Sequence, residues 1–82
     1  MMILVLSDSV KTAEAYIQQS KELGLFRKGV KVRSAHRLSH FIGYQNAEVH
    51  LVGRYKLHQD WSMISDQIRV RGYKVVEAAE WR

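Results

Sequence analysis

The 82-residue sequence contains no cysteine and no proline. Without cysteine the chain can form no disulfide and carry no thiolate chemistry, an absence that is typical of a reducing compartment. Without proline it has no slow isomerisation of X–Pro bonds and no proline-rich linker. A chain of this length buries only about 60–65% of its unfolded surface, so its core is thin. We expect a cytoplasmic protein that gains some stability from self-association.

The sequence also lacks a long apolar run. Its first run, Met2–Leu6, is too short for a signal peptide or a membrane span, and it predicts a buried strand instead. No low-complexity stretch or linker interrupts the chain, so residues 1–82 are predicted to form one domain. With 46% hydrophobic residues, the composition is that of a globular protein.

Negative charge is missing from the middle of the sequence. No acidic residue lies between Glu22 and Glu48, and the net charge of the whole chain is +5. The basic residues of this stretch are Arg27, Lys28, Lys31, Arg33 and Arg37. A basic patch favours polyanions or acidic protein surfaces, but a merely solvated face has the same composition. The sequence leaves both interpretations open.

A strand–loop–helix pattern occurs twice. The apolar run Met2–Leu6 precedes a helical pattern over Val10–Leu23. The run Val49–Val52 precedes a second helical pattern over Trp61–Arg71, and a glycine follows each helix. Strands that are apolar on both faces and separated by helices predict a parallel sheet covered by helices.

Two further strands and a short helix complete the predicted fold. Lys31 and Arg33 alternate with valines and predict a half-exposed edge strand, and Tyr73–Val76 predicts the last strand. The segment Ala35–Ile42 predicts a short helix with Leu38, Phe41 and Ile42 inward. The order β-α-β-α-β-α-β predicts the α/β class and a minimal Rossmann-like, three-layer fold with a four-stranded, mostly parallel sheet. Of the strand orders 2-1-3-4 and 3-2-1-4, we prefer the first, because it places the half-polar strand at an edge.

Ligands of such sheets bind where the parallel strands end. Serine and arginine side chains beside helix N-termini at this rim could hold a phosphate or a nucleotide. The residues that fall there are Ser7, Asp8, Ser9, Ser34, Arg37 and Arg54. The glycine-rich turn of dinucleotide sites and the P-loop are both missing, so only the position of these residues points to such a site.

Catalytic and metal-binding patterns are missing as well. His36 and His40 could share a helix face, but no cysteine or nearby carboxylate completes a metal site. Ser7 follows a strand without the pattern of a nucleophile elbow. His50 is expected to be a hydrogen-bonded, half-buried residue of its strand. We therefore expect neither enzyme activity nor a metal or cofactor.

Nucleic-acid binding has support from the acid-free stretch. Aromatic residues lie in and near it, and they could stack on bases if they are exposed. These residues are Phe26, Phe41, Tyr44 and Tyr55. No helix-turn-helix, zinc-finger or RNA-recognition signature accompanies them.

About half of the chain resembles a known group of proteins. The strand that reads VHLVGRY, the acidic-capped helix start QDW and the helix end and strand IRVRGYKVV are similar to a pattern of small orphan proteins of bacteriophages, especially those of actinobacteria. Those proteins are similar in length and begin with a short apolar strand. The resemblance implies a small, cytoplasmic, non-enzymatic accessory or host-directed protein. Such proteins have no agreed activity, so no functional residue is carried over.

These observations predict an accessory module that binds a host or phage protein. Nucleic-acid binding through residues 27–37 is the alternative, and a phosphate or nucleotide site at the rim is the third. A homodimer is expected through the last strand and the C-terminal tail, with an interface that includes Tyr73, Val75 and Trp81. The competing expectation is a monomer whose tail folds over that edge.

Overall fold

The computed structural model describes residues 2–44 and 46–78. The strands are β1 (Met2–Leu6), β2 (Lys31–Ser34), β3 (Ala47–Val52) and β4 (Lys74–Ala78). The α-helices are α1 (Val10–Glu22) and α2 (Trp61–Arg71). Two short 3-10 helices, Leu38–Phe41 and Tyr55–Leu57, follow β2 and β3. None of the described helices is long and apolar enough to cross a membrane.

All four strands are parallel and lie in the order β2-β1-β3-β4, which confirms the predicted fold class and the preferred strand order. Leu4 of the central strand β1 pairs with Arg33 of β2 on one side and with Val49 of β3 on the other. Val49 also has Val75 of β4 as its partner. The apolar strands β1 and β3 have a strand on both sides, whereas the half-polar β2 lies at an edge, where its polar side chains remain in water.

The sheet separates two apolar clusters. On one face, Ile3, Val5 and Val52 pack against Ala13 of α1. On the other face, α2 and the first 3-10 helix cover a larger cluster. Its fully buried members include Leu4, Leu6, Phe41, Val49 and Ile64. Each strand of the sheet interior therefore contributes alternate residues to the two clusters, as its continuous apolar sequence requires.

The predicted short helix over Ala35–Ile42 is wrong in length and in type. Only Leu38–Phe41 is helical, as one 3-10 turn, and Ile42 has extended backbone angles. Phe41 is fully buried as expected, but the Ile42 side chain is 47% exposed. A 3-10 turn repeats every three residues, so neighbouring residues at its end cannot both face the core. Leu38 packs on that core, together with Phe41.

The start of α2 also differs from the prediction. Asp60 occupies the N-cap position, but its carboxylate makes no capping hydrogen bond. Its backbone N–H donates instead to His58 Nδ1 at 3.1 Å. Trp61 is half-buried, and its ring meets that of Tyr55 edge-on at a centroid distance of 5.0 Å. The loop before α2 is thus held by a histidine and an aromatic pair rather than by an acidic cap.

Candidate functional site

The first part of the predicted phosphate rim lies in the loop between β1 and α1. The buried Ser7 hydroxyl donates to Asp8 Oδ1 at 3.0 Å. The Ser9 side chain accepts from the backbone N–H of Thr12 at 3.2 Å and so caps α1. Both hydroxyls are thus occupied within the loop, and Asp8 already places a carboxylate near the positive end of the helix. This arrangement disfavours a bound phosphate.

The remaining rim residues lie on separate loops. Ser34 ends β2, whereas Arg37 and Arg54 precede the two 3-10 helices and are exposed. The parallel strands bring all of them to the same end of the sheet as Ser7. Within residues 2–44 and 46–78, however, no side-chain hydrogen bond links these three residues to the Ser7–Ser9 loop. The rim is therefore formed by separate loops at one end of the sheet.

A second group of predicted residues lies along the edge strand β2 and the segments on either side of it. Lys31 and Arg33 alternate with Val32, so their side chains leave the same face of the sheet about 7 Å apart. Their partners on that face are Met2 and Leu4, which belong to the α2 side of the sheet. We call five exposed side chains the basic edge: Arg27, Lys28, Lys31, Arg33 and Arg37.

Three members of the basic edge have no carboxylate partner within the described part of the chain. Among the described residues, Lys31, Arg33 and Arg37 form no ion pair with a carboxylate. The carboxylates nearest in sequence are Glu22, at the end of α1, and Glu48, which pairs with Ile3 and therefore lies on the α1 side of the sheet. Uncompensated positive side chains along one edge raise the local potential and attract polyanions.

Two tyrosines position the segment beside the basic edge. Arg33 Nη1 donates to the Tyr44 hydroxyl at 3.4 Å. Tyr73, which lies just before β4, is buried, and its hydroxyl lies 2.6 Å from the carbonyl oxygen of Tyr44 and 3.0 Å from that of Phe41. Tyr73 thereby fixes residues 41–44 against the sheet. The sequence placed Tyr73 at an interface, and no local pattern indicated this partner 29 residues away.

His40 orders the backbone next to Arg37. Its Nδ1 accepts from the backbone N–H of His36 at 3.2 Å and from that of Arg37 at 3.4 Å. Burial lowers the pKa of His40 below 6.5, and the positive charges of Arg33, His36 and Arg37 lower it further. His40 is therefore neutral at pH 7, where it acts as an acceptor that orients the loop.

His58 joins two loops at the carboxyl end of the sheet. Its Nε2 lies 2.8 Å from the carbonyl oxygen of His36, and its Nδ1 accepts from the backbone N–H of Asp60. Because Nδ1 accepts, the proton resides on Nε2, which donates to His36. This bridge ties the start of α2 to the segment that carries Arg37. A lone histidine in a loop gave no sequence signal of this role.

Most of the aromatic residues considered for base stacking are not free to stack. Phe41 and Tyr55 are buried, and the Tyr55 hydroxyl donates to Glu77 Oε1 at 2.9 Å. Phe26 is half-buried on the α1 side, with its ring 6.1 Å from that of His50. Tyr44 is half-buried beside Arg33. Phe41 is buried, as its predicted inward position indicated, and Tyr55 does not meet the condition of exposure either, because a small core uses the area of both rings.

A buried polar network lies on the α1 face of β3. The Tyr16 hydroxyl lies 2.8 Å from His50 Nδ1, and Glu48 Oε1 lies 3.4 Å from His50 Nε2. That second contact is poorly aligned for a hydrogen bond, and His50 Nε2 has no hydrogen-bond partner among the described residues. Burial lowers the pKa of His50 below 6.5, which outweighs the opposing effect of Glu48. His50 is therefore neutral at pH 7, and the predicted hydrogen-bonded, semi-buried histidine is confirmed.

We expect the stability of the protein to fall as the pH drops below about 6.5. The unfolded chain binds a proton at His50 more readily than the folded chain does, because the folded pKa is lowered. His50→Gln should therefore show a shallower loss of thermal midpoint between about pH 7.5 and pH 5.5. His40→Gln is the companion variant, since its pKa is lowered in the same direction. An unchanged pH dependence in His50→Gln would contradict this assignment.

The three predicted interface residues have different positions. Tyr73 is buried in the core cluster, and Val75 is 42% exposed on β4. Trp81 lies outside the described residues, as does the tail after Ala78. The structure therefore places Val75 at a surface and assigns Tyr73 to the core.

Neither a metal centre nor a relative provides a functional assignment. Among residues 2–44 and 46–78, no group of three or more histidine, aspartate and glutamate side chains is arranged to hold a metal ion. No protein-family model, no curated protein and no solved structure matches the chain at a significant level. The geometry of the basic edge, where Lys31, Arg33 and Arg37 form no ion pair among the described residues, is therefore the basis for a function.

Proposed function

We propose that the chain binds nucleic acid, without sequence preference, through the basic edge. The observation that carries this proposal is the row of exposed cationic side chains on and around β2, three of which form no described ion pair. Phosphate contacts of lysine and arginine supply nearly all of the affinity in non-specific binding. An edge on which Lys31, Arg33 and Arg37 form no described ion pair is suited to this task, whereas a structural charge network would pair them.

The described surface supports backbone contact rather than base recognition. Phe41 and Tyr55 are in the core, so they offer no stacking platform. Lys31 and Arg33 lie on a strand, where they form a row along an edge instead of a helix that could enter a major groove. Tyr44 holds Arg33 by a hydrogen bond and limits its range of conformations. Contacts of this kind position a protein on the phosphates without reading sequence.

The affinity should depend steeply on salt. We assume that all five basic-edge side chains contact phosphates. A plot of the logarithm of the association constant against the logarithm of salt concentration should then have a slope of about −4.5 on duplex DNA. The association constant should fall about 500-fold between 50 and 200 mM salt. Fluorescence anisotropy titrations with a short labelled duplex and with a labelled single strand measure the salt slope on each kind of DNA. Two unrelated sequences should bind equally. Absence of binding to either DNA at about 50 mM salt would contradict the proposal.

An accessory module that binds a protein partner is the second candidate. The observation that favours it is the outer face of α2, where Met63 and Val70, seven residues apart, are 54% and 71% exposed. Two large apolar side chains on one helix face are an ordinary partner contact. The same titration separates the candidates, because a protein-binding module that uses this face has no reason to bind DNA with a steep salt dependence.

A further inference from the structure

The strand β4 is the second free edge of the sheet. It pairs with β3 alone, so one row of its backbone N–H and C=O groups has no strand partner among the described residues. Its side chains are more exposed to solvent than those of β1 and β3. Lys74, Val75 and Glu77 are exposed, and Val76 and Ala78 are half-buried. An edge of this kind is a template for another strand, unless charges or a covering segment protect it.

An apolar groove runs beside this edge on the α2 face. It has a volume of about 370 Å³ and lies between α2 and the start of β4. Ile68 and Trp61 of α2 form one wall, Leu51 and Tyr73 line it from the sheet side, and Val75 lies at its edge. The exposed fraction of Val75, 42%, is high for a valine in a sheet. The free backbone edge and the apolar groove are therefore continuous.

The two sheet edges differ in whether they can pair with their own copy. In an antiparallel pair related by a two-fold axis, opposite residues lie on the same face. On β2, an axis through Val32 would place Lys31 opposite Arg33 of the other copy, which is a like-charge pair. On β4, an axis through Val76 places Lys74 opposite Ala78 and Val75 opposite Glu77 of the other copy. Only β4 pairs without opposing like charges.

We propose that β4 pairs antiparallel with β4 of a second copy about a two-fold axis through Val76. Val76 is the centre of the five-residue strand Lys74–Ala78, so this register pairs every residue of the strand. An axis through Val75 would leave Glu77 and Ala78 without partners inside the strand. The resulting sheet has eight strands in the order 2-1-3-4-4-3-1-2, with the two basic edges at its outer ends.

The shape of the edge and its self-complementary register favour β4 of a second copy over an unrelated strand. Arg69, which lines the groove together with Val75, pairs with Asp66 of its own helix at 3.1 Å, and Glu77 accepts from the Tyr55 hydroxyl. The proposed register brings Glu77 of the second copy opposite Val75, so no like charges meet on this face. The two Val75 side chains lie diagonally across the axis, so their exposed apolar area and the two grooves are covered together.

Light scattering on the full chain tests the proposal. We expect a mass of about twice 9.6 kDa at high concentration. Val76→Lys brings two ammonium groups together at the axis and should raise the dissociation constant of the dimer about tenfold or more. Val75→Lys faces Glu77 of the second copy and should keep the dimer. The two variants introduce the same residue at adjacent positions of one strand, so each is the control for the other.

Further measurements distinguish a loss of β4 pairing from a loss of folding. Circular dichroism and thermal unfolding establish that both variants fold, and hydrogen exchange of the β4 amides should slow with concentration in the wild type only if β4 pairs. A monomer mass for the wild type at millimolar concentration overturns the proposal. A dimer that survives Val76→Lys but dissociates in Val75→Lys also overturns it, because that result excludes an axis through Val76. The test is independent of nucleic-acid binding.

Discussion

Phe41→Ala is expected to remove most of the stability of the protein. Phe41 is fully buried where the first 3-10 helix meets the core under α2, and its carbonyl oxygen accepts from Tyr73. Truncating a buried phenylalanine to alanine costs about 3–5 kcal/mol, through lost transfer free energy and the remaining cavity. A chain of 82 residues has a total of about 4–12 kcal/mol. Urea unfolding followed by circular dichroism should show a large fall in the midpoint with little change in slope.

Ile42→Ala is the matched control for this effect. Ile42 is the next residue in the chain and is 47% exposed, with extended backbone angles. Its truncation should cost about 1 kcal/mol or less, because less apolar area returns to water and no closed cavity forms. The sequence alone expected both residues in the core, so the pair measures the difference between a helix and a single 3-10 turn. Equal losses for the two variants would contradict the described turn.

Reversal of two charges in the basic edge is expected to abolish most DNA binding. Lys31→Glu combined with Arg33→Glu removes two phosphate contacts and places two carboxylates on β2. We expect the affinity at about 50 mM salt to fall about 100-fold, and the salt slope to weaken from about −4.5 to about −2.7 or less. Both side chains are exposed, so the thermal midpoint should change little. Anisotropy titrations of both variants and the wild type against the same duplex provide the comparison.

The control for net charge is Lys11→Glu combined with Lys56→Glu. These two exposed lysines lie at the start of α1 and in the second 3-10 helix, away from β2. This double reversal lowers the net charge from +5 to +1, as the first double reversal does. If the basic edge carries binding, the control should retain an affinity within a few-fold of the wild type. Similar losses in both double variants would show that total charge, not this edge, attracts the DNA.

The strand order could be predicted because the two kinds of strand differ in sequence. β1 and β3 are apolar on both faces and need strand neighbours on each side, whereas Lys31 and Arg33 on β2 need water. Right-handed crossovers then left two orders, and the charge of β2 chose between them. The end of α2 could also be predicted, because Gly72 follows the helical pattern. Gly72 has a positive φ of 67°, the left-handed conformation that commonly ends a helix.

The segment between β2 and β3 could not be predicted, because long-range contacts determine its conformation. Apolar residues at Leu38, Phe41 and Ile42 suggested a helix, but Tyr73, which lies in the same core cluster, binds the carbonyl oxygens of Phe41 and Tyr44. His40 Nδ1 also accepts from two successive backbone N–H groups of the preceding residues. Together these contacts favour one tight turn followed by extended chain. Intrinsic propensity is a weak guide when tertiary hydrogen bonds set the backbone.

The candidate site could likewise be predicted only in part. The acid-free stretch of sequence indicated all five members of the basic edge, and the structure places all five at the surface. The sequence predicted Phe41 in the core, but no local pattern showed that Tyr55 also fills the core of so small a domain. The supporting contacts of Tyr73 and His58 reach 29 and 22 residues along the chain, beyond the range of any local pattern.

The parallel sheet has a consequence for how the chain reaches its native state. Met2 pairs with Lys31 and with Ala47, and Glu48 pairs with Lys74, so the partners are 29, 45 and 26 residues apart. No two strands form a hairpin, and no part of this sheet can nucleate locally. During synthesis β1 emerges first, but it remains without its second neighbour until β3 has been made. Its apolar residues remain exposed to solvent in that interval. Because every strand pair is distant in sequence, we expect this chain to fold more slowly than a helical bundle of equal length.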